Sequence, residues 1–219
     1  MLTIEERVTV PNVAFEHAGY RAWVTSDAYP EGVSTTFVNG EVLVDMTPES
    51  IEAHSKVKEA VTVALGVFVR EHDLGEVYPD GALVTNEAAA LSCEPDLTFV
   101  SWASFESSLV RLAPTADGVD YVEVVGSPDL VVEIVSKTSV RKDTALLRKA
   151  YAAAGVREYW LIDARSEPLR FEILSNSGGA FVSSAAVVGP QESAVFGGRW
   201  ELTRARNRAG RFTYALRRS

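Results

Sequence analysis

A single cysteine, Cys93, stands among 219 residues, so no internal disulfide can form and no cysteine-based zinc site can be assembled. With Glu94 and Pro95 beside it, Cys93 reads as a small buried residue rather than a nucleophile. Histidine is scarce too: three are present, and no Gly-x-Ser-x-Gly stretch accompanies them, which argues against Ser-His-Asp chemistry. No apolar run approaches the ~18 residues of a membrane helix. The opening MLTIEERVTV carries acids where a secretory signal needs a basic stretch, so a cytoplasmic protein without a membrane partner is expected. Positive charge is in deficit, with 21 Lys and Arg against 30 Asp and Glu and a net charge of −9, which speaks against a surface that binds nucleic acid along its whole length. The deficit is uneven. Residues 199–219 hold seven arginines and one glutamate, +6, so residues 1–198 carry −15, the −9 of the whole less the +6 of the tail. That basic end reads either as a nucleic-acid contact or as a solvated strand pair.

What is present suits one globular domain: 47% hydrophobic and 23% charged residues over a length that can bury a sizeable core. Residues 1–33 lack periodicity and are expected to form an irregular arm, leaving residues 34–219 as the domain with a C-terminal β extension. FVNGEVLVDM places two apolar runs around Asn39-Gly40, the pair best suited to a two-residue hairpin turn. Thr47-Pro48 then predicts a helix cap, and Ile51, His54, Val57, Val61, Leu65 and Phe68 recur at helical spacing over residues 48–72. His54 lies on that apolar stripe, either as a satisfied core residue or as a polar group pointing into a cleft. Glu52 and Glu59 read as solvated. Strands are expected at residues 76–78 and 82–85 around a Pro79-Asp80-Gly81 turn, at 94–102, and at 121–125, with a polar surface excursion over 104–120.

Residues 126–163 are the organising stretch. Leu130 to Val135 form an apolar, β-branched run interrupted by Glu133, the pattern of a strand buried on both faces. A carboxylate there is costly unless it is hydrogen-bonded, paired or bound to a cation. A helix over residues 142–154 follows, stopped by Gly155, and EYWLID and LRFEIL give two more strands. Tyr159 and Trp160 read as core, and Ser177-Gly178-Gly179 as a hairpin turn rather than a phosphate loop, since no helix opening with Lys-Ser or Lys-Thr follows. Asp96, at the start of the 94–102 strand, and Glu133 could share one hard divalent cation, Mg2+ or Mn2+, an arrangement suited to phosphodiester hydrolysis with a lysine nearby.

Pro95-Asp96, then PDLVVEIVS with its strand acid, then KD, Tyr151, AGV and EYWLID resemble the PD-(D/E)XK nuclease superfamily, and within it the Uma-two family of restriction-endonuclease-like proteins. The resemblance spans residues 37–174 and includes the NGE hairpin, the helix with its early His54, and Leu74-Gly75. It implies an α/β, restriction-endonuclease-like core, a mixed β-sheet flanked by helices, to which the sequence adds β-hairpins at both ends. It further implies magnesium-dependent cleavage of DNA, often by a homodimer, with Asp96 and Glu133 as the metal-binding acids. Val135 occupies the place of the strand lysine, and Leu147 the helix position that commonly replaces it. Lys142 is the first candidate for the missing ammonium and Lys137 the second; Lys149 points about 200° away from position 147. Should no lysine serve, the same fold would act as a non-catalytic module binding nucleic acid or protein.

Overall fold

The structure is a computed structural model and describes residues 8–115, 117–183 and 188–219. It is a mixed α/β architecture with two six-stranded mixed sheets and a three-stranded one, where the sequence suggested one central sheet. In chain order the elements are α1 (His17–Val24), β1 (Ser34–Val38), β2 (Glu41–Asp45), α2 (Lys56–Glu71), β3 (Gly75–Pro79), β4 (Leu83–Asn86), β5 (Leu91–Cys93), β6 (Leu97–Ser101) and α3 (Trp102–Glu106). There follow β7 (Val110–Pro114), β8 (Tyr121–Gly126), β9 (Leu130–Ile134), α4 (Arg148–Ala153), β10 (Glu158–Asp163), β11 (Arg170–Ser177), β12 (Ala180–Ser183), β13 (Gln191–Glu192), β14 (Arg199–Arg206) and β15 (Phe212–Arg218).

One sheet runs β2-β1-β5-β4-β8-β7, the other β12-β11-β10-β9-β6-β3, and the third β13-β14-β15. Residues 79–81 therefore do not close a hairpin: β3 pairs with β6 and β4 with β5 and β8, so the chain changes sheets there. The β1–β2 turn is the expected one, with Asn39 and Gly40 both at positive φ. β9 lies in the middle of its sheet, parallel to β10 and antiparallel to β6, and every one of its residues is buried. Its two faces serve two cores. Leu130, Val132 and Ile134 pack with Val57, Val61, Leu65 and Val69 of α2 and with Trp160, Trp200 and Leu202. Each such fully buried aliphatic side chain contributes roughly 1.5–3 kcal/mol. On the opposite face Val131 and Val135 pack with Leu147, Tyr151, Tyr159 and Cys93, and it is this face that carries Glu133.

Three expectations need correction. The N-terminal arm is not irregular throughout, because α1 buries Tyr20 and Trp23 against Phe37, an anchoring too short in sequence to show periodicity; residues 1–7 lie outside the described residues. Residues 104–120 are not a loose excursion, since β7 pairs along β8 and buries Val110; Ala116 is outside the described residues. Ser50 rather than Thr47 caps the His54 helix, its hydroxyl accepting from the Ala53 N–H at 3.3 Å. Among the described residues no helix is long and apolar enough to cross a membrane.

Candidate metal and catalytic site

β6 and β9 pair Leu97 with Val132, and the residues adjoining that pair are Asp96, just before β6, and Glu133, within β9. A hydrogen bond fixes the first of them: the Ile134 N–H donates to Asp96 Oδ2 at 2.7 Å. The other side chains come from two helices, and both helices begin with a wide π-helical segment, Ile51–Ser55 ahead of α2 and Lys142–Leu147 ahead of α4. Such turns are rare and recur at functional sites. The first carries His54, the second Lys142 and Asp143.

Three buried acids of the same sheet show what distinguishes Glu133. Asp129 accepts from the Ser101 N–H at 2.8 Å, the Ser104 hydroxyl at 2.7 Å and Arg157 at 2.8 Å. Burial would raise its pKa, yet these donors hold it below the ordinary value. Glu158 is likewise surrounded by donors, from the Trp160 indole, the Ser193 hydroxyl and the backbone N–H groups of Ala194 and Val195. Glu133, 2% exposed, has one hydroxyl, that of Tyr151, donating to Oε1 at 2.6 Å. Burial pushes its pKa well above the ordinary carboxylate value, Lys142 acts against that, and the charges of Asp143 and Asp96 add to it. Asp143 is in similar straits: its Oδ2 accepts from Ser139, its Oδ1 is buried without a hydrogen-bond partner, and burial raises its pKa to about 6.

Lys142 is the cation of this acidic group. Its side chain is 24% exposed, with Nζ 3.6 Å from Asp143 Oδ1. Burial would lower its pKa, but the charges of Glu133 and Asp143 raise it above the ordinary value, so the ammonium stays charged. Lys137, the second candidate, is exposed in the turn after β9 and forms no ion pair among the described residues. The structure instead places a lysine that the sequence reading passed over, Lys58, one helical turn after His54. Its Nζ lies 3.0 Å from Asp96 Oδ1, 2.7 Å from Glu49 Oε1 and 3.1 Å from Asp80 Oδ2. Only its i+4 spacing from His54 could have marked it; on a helix wheel it passes for a solvated residue.

His54 is buried and spans the same acids, with Nε2 3.5 Å from Asp96 Oδ2 and Nδ1 3.1 Å from Glu49 Oε2, the latter without hydrogen-bond alignment. Burial opposes its protonation, but Asp96 and Glu49 outweigh burial and raise its pKa. One ligand atom each from Glu49, His54 and Asp96 falls within 4.8 Å of the others, a spacing that one metal ion could bridge. Of the two glutamates expected to be solvated, Glu59 is exposed, whereas Glu52 accepts from Lys56 at 2.6 Å and from the Phe212 N–H at 2.8 Å. Cys93 is buried and close to Tyr151, 3.2 Å from its hydroxyl, and burial raises the thiol pKa to about 12, which makes it inert.

Two mixed sheets with flanking helices thus set His54 and Lys58 beside Asp96, and Lys142 beside Asp143. The chain belongs to the Uma2 family, described as "putative restriction endonuclease", whose sequence profile matches residues 21–196. None of the curated proteins matches it. Among solved structures, a protein from Anabaena variabilis described as a "putative nuclease belonging to DUF820" is similar in fold, with a TM-score of 0.52, 15% identity, and coverage of 74% of this chain and 83% of that one.

Proposed function

We propose that this protein is a metal-dependent endonuclease that hydrolyses DNA phosphodiester bonds. One observation carries the reading: Glu133 is a buried acid with a single hydrogen-bond donor among the described residues, and the charges of Lys142, Asp143 and Asp96 act on it. The buried acids that serve the fold, Asp129 and Glu158, are saturated with donors; Glu133 lacks them and calls for a cation. The donor set suits Mg2+ or Mn2+, because carboxylate oxygens of Asp96 and Glu133 are hard ligands, and Asp143 Oδ1 is buried with no hydrogen-bond partner among the described residues. A divalent cation there would polarise a phosphoryl oxygen and acidify a water.

The protein's own groups do the rest. Asp96 and Glu133 would hold the cation; Tyr151 fixes one Glu133 oxygen through its hydroxyl. His54 positions Asp96. Lys142, charged and partly accessible, offsets negative charge as it grows on the phosphoryl group, a role effective only at hydrogen-bond range. The family match and the nuclease fold of the Anabaena protein support this assignment.

A second reading has its own observation. The Lys58 ammonium already sits on Asp96 between three carboxylates, the place where a cation would compete, and this favours a non-catalytic nucleic-acid or protein-binding member of the fold. Supercoiled plasmid separates the two. Incubation with Mg2+ or Mn2+ is expected to yield nicked and linear DNA, with EDTA stopping the reaction; supercoiled plasmid that stays intact with both ions favours the binding module.

A further inference from the structure

We propose that the C-terminal hairpin, β14–β15, is an arm that grips the phosphate backbone of double-stranded DNA beside the Asp96–Glu133 site; the proposal rests on the reading of that site as a DNA nuclease. The hairpin lies beyond residue 196, where the family match ends, so the family assigns it no role. Its composition is unlike the rest of the chain: no acid follows Glu201, and the stretch from Arg199 contains seven arginines. On a body of −15 that repels nucleic acid, a local +6 decides where phosphates can settle.

Position supplies the second argument. The start of β15 is pinned to the helix that carries His54: the Phe212 N–H donates to Glu52 Oε2 at 2.8 Å, and Lys56 Nζ donates to the Phe212 carbonyl at 2.8 Å. A cleft lined by Glu49, Ser50, Ile51, Glu52, Lys56 and Arg211 joins the base of the hairpin tip to Glu49, which touches His54 and Lys58 in the site.

The arginines divide by what they hold. Arg204 is committed to the fold, binding Glu167 and the Ala164 and Ser166 carbonyls. Arg206 closes the turn through the Gly210 carbonyl at 2.6 Å and lies over the Phe212 ring at 4.4 Å. Arg208 and Arg211, at the tip, are exposed; the Arg211 backbone bonds Asn207, but neither guanidinium forms a hydrogen bond or ion pair among the described residues. Arginines kept for the fold would be engaged as Arg204 is; these two present free guanidinium forks, the geometry that phosphate recognition uses.

The test is fluorescence anisotropy with a labelled DNA duplex of about two helical turns, in EDTA so that nothing is cut, over a series of salt concentrations. Unaltered protein is expected to bind with a steep salt dependence. The Arg208→Ala/Arg211→Ala protein should bind at least about tenfold more weakly and lose about 2 from the slope of log affinity against log salt, one per phosphate contact. The Arg208→Lys/Arg211→Lys protein should keep that slope, which separates charge from damage to the hairpin. Equal affinity and slope in the alanine and unaltered proteins would overturn the proposal and leave the nuclease reading standing. If the unaltered protein binds no duplex at all, both fall together.

Discussion

Asp96→Asn is expected to lower DNA cleavage by a factor on the order of 10²–10³, the usual loss when one electrostatic element of a preorganised site is removed. The substitution is nearly isosteric, and the asparagine oxygen can still accept from the Ile134 N–H that holds this side chain at 2.7 Å, so the sheet register should survive. What disappears is a negative charge that acts on Glu133 and the acid shared by His54 and Lys58. Cleavage by the purified variant and its melting temperature, measured side by side, check this. A variant that melts normally and cuts at full rate would remove Asp96 from the chemistry.

Lys142→Ala carries the second large effect, a loss of roughly 10²-fold in cleavage with metal binding retained. The ammonium is held by the charges of Glu133 and Asp143 rather than by solvent, so its removal leaves the acids able to take a cation but nothing to offset charge on the phosphoryl group. Metal binding is read from the thermal shift: an ion that binds only the folded protein stabilises it by about 2.7 kcal/mol at a hundred times its dissociation constant. That shift should persist in Lys142→Ala. Full activity in Lys142→Ala together with lost activity in Lys58→Ala would pass the role to Lys58, and lost activity in Lys137→Ala instead would pass it to Lys137.

The parts of the site legible in the sequence were those with a local signature. Glu133 stands out because one acid in a β-branched run breaks a pattern, and the hairpin at Asn39-Gly40 and the helix stop at Gly155 are read from residues that adopt positive φ at little cost. His54 was visible as a polar interruption of an apolar stripe. Partners made by the fold were not visible. Asp80 and Asp96 meet on Lys58 across strands of one sheet, β3 and β6, whereas the two strands read as neighbours across the turn at residues 79–81 belong to different sheets. Asp143 carries no local mark of burial in the sequence, yet the π-helical segment buries it to 1% exposure, and no local pattern announces such a turn. The terminal strands were expected to be short; instead eight- and seven-residue strands lay Trp200, Leu202, Tyr214 and Leu216 over α2, a packing that depends on distant sequence.

The location of a bound ion tests the central claim most directly. A crystal soaked in Mn2+ should give an anomalous peak bridged by carboxylate oxygens of Asp96 and Glu133, about 2.1–2.2 Å from each, with Lys58 moved off Asp96 Oδ1. A peak bound by Glu49, His54 and Asp96 without Glu133, or no peak with Lys58 still in its place at high Mn2+, would contradict the account.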